Sequence, residues 1–140
     1  MAGKTELNNK CNELRTQIDD YKGKISTINN ALLATKSKKS QLIIARGDLQ
    51  AARTWIQTSI ENFRENYNGS ETAENKLKKM KKLKNDMKLE FNSLDEVWIE
   101  KINTVIKELN DLKTKYQTQL ENYKSQLAET ELQLAKLNNS

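Results

Sequence analysis

Apolar residues recur along the first half of the chain at alternating steps of four and three residues. The pattern begins at Leu7 and runs without a slip to Tyr67. Heptad spacing of this kind is typical of a coiled-coil seam, because it keeps one side of a helix against a partner. It predicts a first helical arm over residues 4–67. The seam of this arm contains Leu7, Cys11, Leu14, Ile18, Tyr21, Ile25, Ile28, Leu32, Thr35, Lys39, Leu42, Arg46, Leu49, Arg53, Ile56, Ile60, Phe63 and Tyr67.

A second arm is predicted over residues 71–138. Its seam keeps the heptad register as far as Trp98 and then contains two additional four-residue steps, which produce eleven-residue repeats from Leu94 to Val105 and from Leu112 to Tyr123. Repeats of eleven residues straighten a supercoil. The predicted seam positions are Ala73, Leu77, Met80, Met87, Phe91, Leu94, Trp98, Ile102, Val105, Leu109, Leu112, Tyr116, Leu120, Tyr123, Leu127, Leu134 and Leu137.

The segment Asn68-Gly69-Ser70 separates the two arms, and it is the strongest turn signal in a chain without proline. Glycine readily adopts the left-handed conformation that ends a helix, and serine caps the next one. Two arms of equal length on either side of one turn predict an all-α fold, a long antiparallel two-helix hairpin that forms a single domain over residues 1–140. The weak helical stretch Lys36–Ser40 leaves an alternative, in which a bend or break folds the arms back into a four-helix bundle.

A further set of apolar residues lies off the seam. Leu33, Ile44 and Trp55 follow one another at intervals of eleven residues, so each is within ~20° of the same helix face as the previous one. The second arm has a corresponding surplus at Leu83 and at the predicted partner-binding residues Val97, Ile99 and Ile106. A two-helix hairpin buries only one face of each arm, so the sequence predicts that these residues bind a helical protein partner.

Composition supports a narrow apolar stripe rather than a thick core, since 36% of the residues are hydrophobic and 31% are charged. The net charge of +5 is concentrated in Lys76–Lys88, which contains seven lysines. This run could bind nucleic acid or an anionic membrane surface, but it has no arginine for bidentate contacts and no aromatic ring for stacking. We interpret it as a solvated face, and we expect no nucleic-acid ligand, no membrane span and no signal peptide.

The chain has no histidine and only one cysteine, which argues against Cys/His metal sites, cysteine–histidine nucleophiles and an intrachain disulfide. Cys11 lies in the predicted seam and is interpreted as a small buried side chain. The sequence therefore predicts a protein that is not an enzyme and that has no cofactor, no metal and no catalytic residues.

Two matched helices around Tyr67-Asn68-Gly69 resemble the small WXG-type proteins of type VII secretion. Tyr67 replaces the tryptophan of the Trp-x-Gly turn, and Gly69 corresponds to its glycine. The resemblance is closest to the accessory proteins paired with LXG-domain toxins. Phe91-Asn-Ser-Leu-Asp95 also resembles the aromatic-xxx-acid element associated with export in such systems, although here it lies within the second arm.

This resemblance implies a targeting chaperone that binds the N-terminal helical domain of an LXG-type toxin, together with a second small helical accessory protein in some assemblies. It also implies a cytoplasmic protein that is secreted with its partner without a cleaved leader. The residues themselves leave two alternatives open. One is a self-associating coiled-coil scaffold, for example a homodimer, and the other is a binder of nucleic acid or membrane surfaces through Lys76–Lys88.

Overall fold

A computed structural model describes residues 3–66 and 71–139, with the side chains of residues 3–64 and 72–139. Helix α1 spans Lys4–Asn66 and helix α2 spans Glu71–Ser93. A π-helix at Leu94–Ile99, called the π segment below, joins α2 directly to helix α3 at Glu100–Asn138. The described residues contain no strand, so the all-α prediction is confirmed. The turn predicted at Asn68-Gly69-Ser70, with Tyr67, lies outside the described residues.

Helix α1 is continuous over Lys4–Asn66, including the stretch Lys36–Ser40. The folded-back bundle requires a break in the first arm, and the helix has none within those bounds. No proline interrupts α1, and the acid Glu6 in its first turn and the base Arg64 in its last turn both complement the helix dipole. These features favour one long helix over two short ones.

The chain divides into two compact units. We call the described residues of Met1–Ala34 and Ile106–Ser140 the terminal unit, and those of Thr35–Val105 the central unit. Each unit is described separately, and α1 and α3 contribute residues to both. That one domain spans residues 1–140 stays a prediction.

The terminal unit pairs the start of α1 with α3 in antiparallel orientation. Arg15 forms an ion pair of 3.1 Å with Glu131, whereas Tyr21, further along α1, contacts the rings of Tyr123 and Tyr116, which precede Glu131 in the chain. The α1 side of this seam is as the heptads predict. Its buried residues are Leu7, Cys11, Leu14, Ile18, Ile28 and Leu32.

The central unit also pairs α1 with the second arm in antiparallel orientation, since Arg46 contacts Asp95 and Gln57 contacts Lys84. Its core cluster consists of Ile56, Ile60 and Leu77, with partly buried Phe63, Met80 and Met87 against it. Between Thr35 and Trp55 every predicted seam position of α1 is only half-buried. The polar seam residues Lys39, Arg46 and Arg53 explain this thin packing, because a charged head group must stay close to water or to a partner.

The predicted seam of the second arm is correct as far as Leu94, and beyond it the positions Trp98, Val105 and Leu112 are wrong. Trp98, predicted in the seam, is 52% exposed, and Ile99, predicted on the surface, is 6% exposed. The π segment explains the exchange, because π-helical bonding joins residues five apart and so brings Ile99, not Trp98, one turn after Leu94. The seam predicted from the sequence accommodated the same additional residue differently, in the two eleven-residue repeats Leu94–Val105 and Leu112–Tyr123.

Beyond the π segment, burial follows an uninterrupted heptad register. Val105 and Leu112, predicted in the seam, are 42% and 36% exposed, while their neighbours Ile106 and Lys113 are half-buried. Thr130 is 2% exposed, although its polar side chain did not mark it as a core residue. Its hydroxyl donates to the carbonyl oxygen of Gln126 at 2.7 Å, so burial leaves no hydrogen-bonding group unsatisfied. The residues at these heptad positions are Ile99, Ile102, Ile106, Leu109, Lys113, Tyr116, Leu120, Tyr123, Leu127, Thr130, Leu134 and Leu137.

Candidate partner-binding surface

The predicted partner-binding residues of α1 are among the most exposed apolar residues of the described chain. In the central unit, Ile44 is 64% exposed and Trp55 is 70% exposed. Leu33, which belongs to the terminal unit, is 69% exposed. The helix positions that alternate with them, Leu42, Leu49 and Ile56, face the second arm and are at least half-buried. Helical periodicity therefore separates an inner seam from an outer apolar face on the same helix.

Within the central unit this outer face consists of Ile44, Gly47, Ala51 and Trp55, and we call it the α1 outer face. Gly47 and Ala51 lie between the two large side chains at helical spacing, and both are exposed. A Cβ atom added at Gly47 would meet nothing within 4 Å, so no contact in the described structure requires a glycine there. The face is thus two large apolar side chains with a shallow depression between them.

The residues of the second arm that were predicted to extend the surface differ in their exposure. Val97 is 40% exposed within the π segment, and Leu83 is 49% exposed on α2. Ile99 is 6% exposed, so the prediction that it lies on a free surface is wrong, and the π segment is the reason. Ile106 is half-buried at a seam position of α3 in the terminal unit.

Sequence reasoning missed several exposed apolar residues. Trp98, Val105 and Leu112 had been predicted in the seam, and nothing in their spacing reveals the π segment that turns them outward. Leu89 at 68% and Leu132 at 57% exposure have polar or charged neighbours on both sides, and Ile43 at 40% lies between Leu42 of the seam and Ile44 of the outer face, so periodicity gave no signal for them. Most of the exposed apolar residues belong to the central unit.

The α1 outer face carries an acid, not a basic rim. The exposed Asp48 lies on this side of the helix, four residues after Ile44 and three before Ala51, whereas Lys39, Arg46 and Arg53 belong to the seam. The run Lys76–Lys88 on α2 contains only one acid, Asp86. Among the described residues, no lysine of this run forms an ion pair, although Lys84 donates a hydrogen bond to the side-chain oxygen of Gln57. The positive charge of the central unit is therefore concentrated on α2 and not on the α1 outer face.

The two residues of the possible export element both have intramolecular contacts. The guanidinium carbon of Arg53 lies 5.8 Å from the centre of the Phe91 ring. The carboxylate of Asp95, at the start of the π segment, accepts a hydrogen bond from Arg46 in an ion pair. Both residues are half-buried in the central unit. Here, Phe91 and Asp95 help to join the second arm to α1.

Candidate chemistry elsewhere is sparse. Cys11 is 1% exposed within the terminal unit, so its thiol is packed among the side chains of the seam. The described residues contain no group of three or more side chains that could hold a metal ion. An open groove of about 590 Å³ in the terminal unit is lined by Asp19, Gly23, Lys24, Ile28 and Tyr116, among others. In residues 3–66 and 71–139, no helix has both the length and the apolar character needed to cross a membrane.

Comparison with protein-family models, with curated proteins and with solved structures gave no match.

Proposed function

We propose that this protein is a non-enzymatic adaptor that binds a helical segment of another protein on the α1 outer face. The observation that carries the proposal is the exposure of Ile44 and Trp55, 64% and 70%, on a helix whose opposite side is packed. Two large apolar side chains on one face, eleven residues apart, match the spacing at which an amphipathic helix presents its anchors. Trp55 is the expected anchor, since tryptophan is enriched among residues that dominate binding energy.

The shape of the surface favours an amphipathic helix as the partner. An apolar stripe on that helix would cover Ile44 and Trp55, and the depression at Gly47 and Ala51 would let the two backbones approach closely. A basic residue beside the stripe would lie near the exposed Asp48. Such a contact would help to fix the register of the partner helix.

The thin seam of the central unit supports the same proposal. Between Thr35 and Trp55 no predicted seam position of α1 is fully buried, and Arg53 retains a buried Nε without a hydrogen-bond partner in the described structure. The central unit thus has less apolar contact than the terminal unit and more exposed apolar surface. A docked helix would add the missing apolar contact on the outer side of α1.

We further propose that the partner is the N-terminal helical domain of an LXG-type toxin, and that the protein serves as its targeting chaperone in type VII secretion. The resemblance in sequence layout supports this assignment. On this proposal the chain acts in the cytoplasm, with or without a second small accessory protein, and presents the toxin to the secretion machinery. Val97, which is exposed in the same unit, would extend the contact beyond the α1 outer face.

The test is co-expression with the N-terminal domain of an LXG-type toxin, followed by co-purification of wild type and Trp55→Ala. Trp55 is 70% exposed, so the variant should keep its helicity and melting temperature while the toxin domain is lost. Loss of an interface anchor commonly costs about 2 kcal/mol or more, which is ~30-fold in affinity.

The matched control is Ile56→Ala, which changes the neighbouring residue of the core cluster, itself 3% exposed. It should lower the melting temperature and leave the affinity of the folded protein unchanged. A Trp55→Ala protein that melts as early as Ile56→Ala, or that retains the toxin domain at full affinity, would contradict the proposal. If sedimentation instead shows that wild type forms a dimer dissociated by Trp55→Ala, the face is covered by a second copy.

A further inference from the structure

Three pairs of adjacent residues at heptad spacing flank the seam of the second arm beyond Leu94. They are Trp98-Ile99, Val105-Ile106 and Leu112-Lys113. In each pair the second residue is the more buried one, because Ile99 is 6% exposed and Ile106 and Lys113 are half-buried. The first residues are 52%, 42% and 36% exposed. The structure thus chooses one member of every pair.

The π segment makes this choice. In π-helical bonding the residue one turn after Leu94 is Ile99, whereas in α-helical bonding it is Trp98. This first step determines which residue of each pair, up to Leu112-Lys113, faces the seam. A purely α-helical path from Leu94 would therefore bring Trp98, Val105 and Leu112 toward the seam.

The unused members form the more apolar set. They contain a tryptophan and a leucine where the present set contains an isoleucine and Lys113. Ile102 and Leu109, which lie between the pairs, and Tyr116, which follows them, belong to the seam in either case, because they fit both spacings. Changing the set therefore requires only a rotation of the helix about its own axis, by less than the ~100° that separates adjacent residues.

A second position for the additional residue is available further along the chain. From Leu112 the steps to Tyr116 and to Leu120 are both of four residues, and Leu112 and Tyr123 are eleven residues apart. An eleven-residue repeat accommodates the extra residue by straightening the supercoil, without a π-helix. The chain therefore has two ways to accommodate the same additional residue, either in the π segment or shared between the eleven-residue repeats Leu94–Val105 and Leu112–Tyr123.

We propose that the segment from Leu94 to Tyr116 is a rotational switch with two settings. In the π setting, Ile99, Ile106 and Lys113 face inward, and Trp98, Val105 and Leu112 are exposed. In the α setting the π segment becomes α-helical, and each of these three residues turns toward the part of α1 that belongs to its own unit. The switch thereby determines whether the three apolar side chains are exposed, and it does not depend on the function proposed above. π-Helical turns within α-helices are frequent at functional sites, in keeping with such a role.

The test uses Trp98 as a reporter in a Trp55→Phe background, where it is the remaining tryptophan. Trp55 is 70% exposed, so its replacement should leave the fold intact. Labelling with 5-fluorotryptophan and recording the fluorine spectrum should give two resonances, or one broadened by exchange, with acrylamide quenching of Trp98 between the two limits.

Deletion of Glu96 should lock the π setting. It removes one residue between Leu94 and Ile99, so an α-helix then brings Ile99 into the seam and every later residue keeps its present position. We expect one fluorine resonance and a freely quenched Trp98. If the Trp55→Phe protein and its Glu96 deletion give the same single resonance, the second setting does not exist.

The opposite lock combines Ile99→Lys and Ile106→Lys, which place charges in the seam only in the π setting. The α setting leaves both lysines at the surface, so this variant should keep its helicity and show several-fold weaker quenching of Trp98. Unfolding of the double variant, or quenching as strong as in the Glu96 deletion, would overturn the proposal.

Discussion

The terminal and central units are both antiparallel helix pairs, yet their seams differ in composition. In the terminal unit α1 contributes buried Leu7, Leu14, Ile18 and Ile28, and its polar groups lie outside the seam. In the central unit the same heptad register passes through Lys39, Arg46 and Arg53. A continuous heptad pattern thus determines which side of a helix faces its partner, while the residue types at the heptad positions determine how tightly that side packs.

The difference extends to the outer surfaces. The central unit carries Ile44, Trp55, Leu89 and Trp98 with at least half of each side chain exposed. A seam with charged residues and an exterior with apolar ones is the reverse of an ordinary surface helix. It is the arrangement expected where a protein keeps apolar surface for a partner at the expense of internal packing.

Truncation in the two seams should show this difference most strongly. Leu14 is 4% exposed in the terminal unit, so Leu14→Ala should reduce the free energy of unfolding by about 3 kcal/mol through lost burial and a cavity. Leu42, half-buried in the central seam, is the matched position, and Leu42→Ala should cost only about 1 kcal/mol. Urea titrations followed by circular dichroism measure both. Equal losses would mean that the two seams are packed equally well.

A charged seam residue should be replaceable at a gain in stability. Arg53 donates to the side-chain oxygen of Gln50 and lies over Phe91, but its buried Nε has no partner among the described residues. Arg53→Met keeps an unbranched apolar stem and removes that unsatisfied donor, so it should stabilise the protein by about 1 kcal/mol. Arg64→Met, at an exposed position of the same helix, should change stability by less than about 0.5 kcal/mol. Destabilisation by Arg53→Met in thermal melts would contradict this description of the central seam.

The smallest expected effect comes from the two glycines within α1. A Cβ atom at Gly23 in the terminal unit or at Gly47 in the central unit would meet nothing within 4 Å. Each change to alanine should therefore stabilise the helix by about 0.5–1 kcal/mol. Only Gly47→Ala fills the depression of the α1 outer face, so it alone should weaken partner binding. Equal affinities of Gly47→Ala and Gly23→Ala for the partner would show that the depression is not used.

The sequence predicted the first arm well because α1 is a regular helix whose burial follows the heptad register. The seam positions of that arm and the exposure of Leu33, Ile44 and Trp55 all follow from the spacing of apolar residues. The polar seam positions were also visible, because the register passes through them without a slip. Their effect on packing could not be read from the sequence, since it depends on what each charged side chain contacts in the folded protein.

Beyond Leu94, the spacing of apolar residues was not sufficient to predict which residues lie in the seam. Trp98 and Ile99 are adjacent and both apolar, as are Val105 and Ile106, so either member of each pair satisfies a seam. The choice depends on whether backbone bonds join residues four or five apart, and apolar spacing does not specify this. Buried Thr130 escaped detection for a different reason, because its hydroxyl bonds within its own helix and lets a polar residue occupy a core position.

We propose that the central unit gives up internal packing for a partner surface. Amide hydrogen exchange read by mass spectrometry tests it most directly, in the free protein and in complex with the partner helix domain. Without partner, residues 39–58 of α1 should exchange faster than residues 7–28, because local opening costs less where few apolar contacts hold a helix. With partner, protection should rise over residues 39–58 and change little over residues 7–28. Equal exchange of the two segments in the free protein, or protection that appears only in residues 7–28 on binding, would contradict the account.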